Sequence, residues 1–382
     1  MSKLSDLKKP LGATTSSNSY VHFPTGHEDL VHDVAYDYYG RRMATVSADQ
    51  RLKIFDLDDN GEWCKSGEVK AHDASIGKVI WGPPEHGQIL ATCSYDRHVR
   101  IWEEQEMEPK LSPHRWKRQF QMTAEARTAV LSIAFPPTQA SSSSSSTGLK
   151  IAFISTDGTV SIYECREPHD LSHWVPIDSI KAIPTPPPRE SEVAFCLAFC
   201  PSRWGGEQLV VGAMDSVRVY RHNAAGKLRA AEELPGHGGL VRDVAWAVTM
   251  GRNYHLIATA CKDGHVRIFK LTSGGTVAVK PVPQVRTISR KKGAGLSQGL
   301  GGEEPEGDGE EVTERWNVEK VADFGDHRSE VWKVAWNATG TILSSTGDDG
   351  KIRLWKAAIN GEFQLLGIVA TPKSGGNTVD DD

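Results

Sequence analysis

Short apolar runs alternate with turn residues along most of the chain, and they recur at a fixed internal spacing. In Ile89-Leu-Ala-Thr-Cys-Ser-Tyr-Asp-Arg-His-Val-Arg-Ile-Trp102 an apolar run leads into an Asp turn, then an alternating strand that ends in an aromatic. The arrangement returns at residues 43–55, 151–163, 209–220, 256–269 and 342–355. The turn residue is Asp49, Asp96, Asp157, Asp215, Asp263 and Asp349, and the closing aromatic is Phe55, Trp102, Tyr163, Tyr220, Phe269 and Trp355. Their separation is six residues in five repeats and five in the fourth. Each unit also carries an upstream strand, such as Val31-His-Asp-Val-Ala-Tyr36, Val241-Arg-Asp-Val-Ala-Trp246 and Val331-Trp-Lys-Val-Ala-Trp336. Short alternating strands separated by Gly, Asp and Asn predict an all-β chain.

Four upstream strands follow Gly-His or a relative of it: Gly26-His27, Ala71-His72, Gly236-His237 and Asp326-His327. A period of roughly 45 residues with such a dipeptide and a terminal aromatic is the WD repeat. Six repeats predict a six-bladed WD40 β-propeller, because a four-stranded blade cannot bury both of its faces alone. His, Ser or Thr, Asp and Trp at these places resemble the hydrogen-bonded tetrad of WD repeats. The second repeat is expected to keep the full set, as His72, Ser94, Asp96 and Trp102. Elsewhere Phe or Tyr is expected to replace the Trp and lose the indole donor. The third and fourth repeats have no Gly-His histidine, so apolar packing should matter more there.

The expected domain layout is a tail over 1–19, a propeller over 20–370 and a tail over 371–382. A serine run at 141–146 lies between the first two strands of the third repeat and should be a loop. Ile183-Pro-Thr-Pro-Pro-Pro188 reads as an extended spacer. The largest insertion, about 281–314, is Gly-rich, basic at Arg290-Lys-Lys292 and acidic over 303–311, a composition that predicts disorder.

Two stretches compete for one outer strand in the last repeat. After Trp355 the chain passes through Asn360-Gly361 into Glu362-Phe-Gln-Leu-Leu-Gly-Ile-Val369, a fourth strand reached by a turn signal. The N-terminal Tyr20-Val-His-Phe23 also has strand character. Either the ring closes with residues 20–23 as a frayed extra, or its ends are unfastened and present edges that invite strand addition. By this edge logic Tyr20, Val21 and Phe23 on one side, and Phe363, Leu365 and Leu366 on the other, are the expected partner-binding residues.

Composition narrows the function. The 382 residues carry a formal net charge of −5, so no overall positive field draws the chain to nucleic acid. The basic Lys110-Leu-Ser-Pro-His-Arg-Trp-Lys-Arg118 reads as a blade connection with solvated charges rather than a stacking platform. The polar first 19 residues lack the apolar core of a secretory signal, and no run of ~18 apolar residues suggests membrane insertion. The six cysteines form no CxxC pair and read as small hydrophobes in a reducing compartment. Catalysis would need a nucleophile with a base, convergent carboxylates or metal ligands. The recurrent Asp and His residues are already assigned to turns, and no GxSxG, HExxH or P-loop is present. A non-catalytic protein-binding subunit without cofactor or metal is the expectation.

Gly26-His-Glu-Asp-Leu-Val-His-Asp-Val-Ala-Tyr-Asp-Tyr-Tyr-Gly-Arg-Arg-Met-Ala-Thr-Val-Ser-Ala-Asp-Gln50 resembles the first blade of two related propellers, the Seh-type nucleoporin and the small propeller of the COPII outer coat. His114-Arg-Trp-Lys-Arg118, Leu171-Ser-His-Trp174, Met250-Gly-Arg-Asn-Tyr-His-Leu256 and Val331-Trp-Lys-Val-Ala-Trp-Asn-Ala-Thr-Gly340 are similar to the nucleoporin rather than the coat protein. The resemblance implies an open six-bladed propeller. A helical (α-solenoid) scaffold nucleoporin of the Y-shaped (Nup84/Nup107-type) complex would donate a further blade in trans. It also implies service in nuclear transport of protein and mRNA at the nuclear envelope, alongside other Y-complex subunits. A second role in the vacuolar SEA or GATOR-type nutrient-signalling complex is implied as well. Vesicle-coat service is the alternative.

Overall fold

The computed structural model describes residues 23–137, 148–167, 169–188, 190–202, 207–223, 226–279, 311–358 and 361–370. They form six four-stranded antiparallel sheets, each drawn from one continuous stretch of chain. Blade one is β1 (Val31–Tyr36), β2 (Arg42–Ser47), β3 (Arg51–Leu57) and β4 (Trp63–Lys70). Blade two is β5 (Ile76–Trp81), β6 (Ile89–Ser94), β7 (His98–Glu104) and β8 (Trp116–Thr123), and blade three is β9 (Val130–Ala134), β10 (Leu149–Ser155), β11 (Thr159–Cys165) and β12 (Val175–Lys181). Blade four is β13 (Phe195–Phe199), β14 (Gln208–Ala213), β15 (Ser216–His222) and β16 (Leu228–Leu234). Blade five is β17 (Val241–Trp246), β18 (Tyr254–Cys261), β19 (Val266–Val279) and β20 (Glu311–Phe324), and blade six is β21 (Val331–Trp336), β22 (Ile342–Gly347), β23 (Lys351–Ala357) and β24 (Phe363–Ala370). The first strand of each blade packs against the first strand of the next, so these six line the central channel.

Strand alternation sends successive side chains to opposite faces, so each blade has two apolar faces. The core is accordingly split into five clusters, each shared by consecutive blades. Leu52 and Ile54 of blade one meet Ile76 and Val79 of blade two, and Ile101 and Met122 meet Val130 and Ile133. Blades three and four join through Ile154 and Leu197, four and five through Val219 and Val244, five and six through Ile268 and Val334. Polar ties supplement this packing. The Trp81 indole donates to the Ala35 carbonyl of the blade before it (3.0 Å), and the Trp336 indole to that of Ala245 (3.1 Å).

Several expectations are corrected here. β19 and β20 form one long hairpin in which Thr276 pairs with Glu314 and Val279 with Glu311. Residues 311–314 are therefore strand and not part of a disordered insertion. The rest of the insertion, with Arg290-Lys-Lys292, lies outside the described residues, as do Tyr20, Val21, the serine run and both tails. β24 completes blade six from its own repeat. The spacer leaves blade three through a bend at residues 183–185, and Ile183 packs against the core shared by blades three and four.

The turn between the first two strands shows how much each blade depends on its predecessor. Gly340 in blade six and Gly40 in blade one occupy the same turn with φ of 63° and 66°. A Cβ on Gly340 would stand 2.4 Å from the Val248 carbonyl of blade five, where Arg252 also donates to the Gly340 carbonyl (3.0 Å). A Cβ on Gly40 would meet nothing within 4 Å. Gly40→Ala should cost only the left-handed backbone strain, about 1–2 kcal/mol, whereas Gly340→Ala should cost at least about 2 kcal/mol more. Urea unfolding of the two variants checks this, and equal losses would refute it.

Candidate partner-binding site at the seam between first and last blades

The six channel strands share one register. The first and fourth residues of the bulged strands, and the first and third of the bulge-free β13, face the preceding blade: Ile76 and Val79, Val130 and Ile133, Phe195 and Leu197, Val241 and Val244, Val331 and Val334 are all buried, at 4% exposure or less. In β1 the same positions are Val31 and Val34, exposed by 40% and 43%. Their neighbours Leu30, Tyr36, Tyr38 and Tyr39 are exposed as well. The opposite wall belongs to blade six. There Ser344, Thr346, Ile352 and Leu354 are only partly covered, although the matching Ala44, Val46, Leu52 and Ile54 of blade one are fully buried. No buried cluster spans these two walls among the described residues. Strands β1 and β21 do not pack as the other neighbouring channel strands do. Among the described residues the polar tie across the seam is the Lys333 ammonium, which donates to the Asp33 carboxylate.

The expected partner residues fall unevenly around this seam. Phe23 is not in a strand; it sits edge-on to Phe55 with ring centroids 5.4 Å apart, capping the blade-one face that lacks a preceding blade. Leu366 is exposed at the bulge of β24, the position that Ser66 holds on the wall of blade one facing blade two. Leu365 pairs with Trp355, and Phe363 lies 6.0 Å from Trp336 within the cluster shared with blade five. Those two are therefore turned away from the seam, because cross-strand partners share a sheet face. Val31 and Val34 were missed. Their signal was present: they occupy the template positions that bury against a preceding blade, in the one repeat without a predecessor.

The comparisons with known proteins agree with this architecture. The WD domain, G-beta repeat family matches residues 18–56, 63–103, 229–270 and 318–356, the repeats that carry the histidine. Nucleoporin SEH1 of Saccharomyces cerevisiae is 39% identical over 354 residues, covering 91% of this chain and 98% of the relative. Nucleoporin seh1 of Schizosaccharomyces pombe is 42% identical over 357 residues, covering 91% and 96%. Nucleoporin SEH1 of Homo sapiens is 35% identical over 356 residues, covering 90% and 86%. The chain belongs to the nucleoporin SEH1 family.

Within this SEH1-family propeller the histidines do structural work. In blade two the Trp102 indole donates to Thr92 Oγ1 (3.0 Å), Thr92 lies 2.8 Å from His72 Nε2, and His72 Nδ1 lies 2.8 Å from Asp96. The neutral Nδ1–H tautomer satisfies the whole chain, with Thr92 donating to Nε2 and Nδ1 donating to the carboxylate. Thr92, not Ser94, is the bridging hydroxyl. Ser94 donates to the Ser75 carbonyl (2.7 Å) and accepts from the Asp96 amide (3.1 Å), pinning the turn instead. Nor is the second repeat alone. Trp355 donates to Ser345 (2.8 Å), Ser345 meets His327 (2.8 Å) and His327 meets Asp349 (3.0 Å), so blade six keeps the indole donor too. Blade one repeats the set without it, as His27, Thr45 and Asp49. In blade three Asp157 takes its bonds from Ser155 and Thr159, and in blade four Asp215 is solvated.

Burial depresses the imidazoles of blades two, five and six. It pushes His72 below its ordinary value despite Asp96, and lowers His237 to about 4 with help from Arg267. Burial also lowers His255 to about 4; its ring stacks on Trp316 at 4.5 Å and its Nδ1 accepts from Trp246 (3.2 Å). Burial alone would raise the Asp96 carboxyl, but bonds from His72 and from the Asp73 and His98 amides hold it well below the usual range.

Two outcomes follow. Val334→Ala should cost about 2 kcal/mol, and Val34→Ala less than about 0.5 kcal/mol in the lone chain; matched urea titrations test the contrast. A histidine with a depressed folded pKa binds more protons when unfolded, so its stability is whole above about pH 6.5 and is lost as pH falls towards 4. The thermal midpoint should decline through that window, and His255→Phe should flatten part of the decline. A midpoint constant from pH 7 to 4.5 would contradict the assignment.

Proposed function

We propose that the chain is a non-catalytic scaffold subunit of the nuclear pore, and that it binds its partner by accepting β structure at the seam between blades one and six. The supporting observation is the exposure of Val31 and Val34 where every other blade buries the equivalent pair. Unpartnered apolar walls rimmed by polar groups mark protein-binding surfaces. Strand addition also supplies backbone pairing for affinity and side-chain pockets for specificity. The relatives are named nucleoporins, which favours the nuclear envelope as the place of work. The finer reading is a helical scaffold nucleoporin of the Y-shaped complex that inserts a blade in trans, with the assembly supporting transport of protein and mRNA. Service in a SEA or GATOR-type complex would use the same seam with another helical partner.

Size exclusion of the chain alone and mixed with the helical scaffold nucleoporin of its own organism tests this. A stoichiometric complex is expected, with amide exchange slowed in β1 and blade six. Loss of binding on Val31→Asp with Val34→Asp, in a variant whose unfolding matches wild type, would support the seam. A propeller that ignores the partner, or a complex that leaves protection in β1 unchanged, would reject it.

A further inference from the structure

The third residue of each bulged channel strand, and the second residue of the bulge-free β13, lies on a belt that links one blade to the next, and this belt says what the missing neighbour must carry. The belt residues are Asp33, Lys78, Ser132, Cys196, Asp243 and Lys333, all at the same register position. Where the position is Asp, its carboxylate accepts the fourth-position amide of the following blade: Val79 N donates to Asp33 (3.1 Å), and Val334 N to Asp243 (3.3 Å). Where it is Lys, the ammonium reaches forward to the third position of the following blade. Lys78 thus donates to Ser132 (3.0 Å). Lys333 has no following blade in its own chain and reaches past the seam to Asp33 of blade one.

Two demands therefore fall on one place. The fourth-position amide of blade one is that of Val34. It pairs with Thr45 as Val79 pairs with Thr92 and Val334 with Ser345, so it points as theirs do. Lys333 cannot accept it, being a donor only. A blade inserted at the seam would meet Lys333 on one side and the Val34 amide on the other, and a carboxylate at its third position answers both. Burial opposes the charge on Lys333, but Asp33 and Asp243 outweigh it and keep the ammonium charged. We infer that the partner's channel strand carries an Asp or Glu at this position, which takes Lys333 from Asp33 and accepts the Val34 amide. This rests on the seam being the docking site, and it adds the chemistry of the partner and an exchange of ion-pair partners on docking. Asp33 keeps the Val79 amide throughout, so blade one stays joined to blade two.

Carbodiimide coupling, which joins an amine to a contacting carboxylate, reads the exchange in the chain and in its complex with the helical scaffold nucleoporin. Peptide mapping should show Lys333 coupled to Asp33 in the lone chain and to a partner carboxylate in the complex. Lys333→Met should speed dissociation of the complex roughly thirty-fold or more. Asp33→Asn, which keeps an oxygen for the Val79 amide, should have a several-fold smaller effect. Lys333 still coupled to Asp33 in the complex, or to another carboxylate of its own chain, overturns the inference, as do equal effects of the two variants. If coupling at Lys333 yields no product, the variant pair decides. Absence of any complex would instead reject the docking site itself, and this inference with it.

Discussion

A four-stranded blade has two apolar faces, and each face needs a neighbour to exclude water. That requirement organises the whole molecule. Blades two to five sit between neighbours, and five clusters of buried side chains run between consecutive sheets. The two end faces must find cover elsewhere. On blade one, Phe23 caps Phe55 but leaves Val31 and Val34 exposed. On blade six the wall is more polar, with Ser344 and Thr346 where blade one has Ala44 and Val46. That substitution lowers the free-energy cost of leaving the wall wet, so the chain tolerates an unpacked seam.

Polar groups give this apolar frame its precision. In blades one, two and six a loop histidine is tied to a strand hydroxyl and a turn carboxylate, and in blade five His237 holds the Thr259 hydroxyl alone, so the channel strand enters its sheet at one height. Burial disfavours the charged form of the His72 and His327 imidazoles. In blades two and six the turn carboxylate also faces an arginine, Arg100 beside Asp96 and Arg353 beside Asp349, so its charge is not left uncompensated. The blades without the histidine solve the same turn locally, Asp157 through the hydroxyls of Ser155 and Thr159.

Much of this was legible in the linear pattern because it is local. The spacing from turn Asp to closing aromatic located every blade, and the strand after Asn360-Gly361 was correctly assigned to the last one. The tetrad hydroxyl was misread between two candidates on one face of β6, Thr92 and Ser94. Aligning the repeats separates them: Thr45, Thr92, Thr259 and Ser345 keep a hydroxyl at the first position, whereas Ser47, Ser94, Cys261 and Gly347 vary at the second. The polar insertion was read by composition, which is blind to the pairing that extends β19 and β20.

The number of blades, the strand order within them and the residues that turn each sheet follow from alternation and turn chemistry over a few dozen residues, and so could be read from the chain. Which of six equivalent faces stays uncovered depends on the assembled ring. Val34 and Val334 belong to the same motif and have the same preference for burial. They differ because one has a blade before it and the other does not. The Lys333–Asp33 pair spans 300 residues of chain, and no local pattern encodes a contact whose partners meet only after every intervening blade has been laid down.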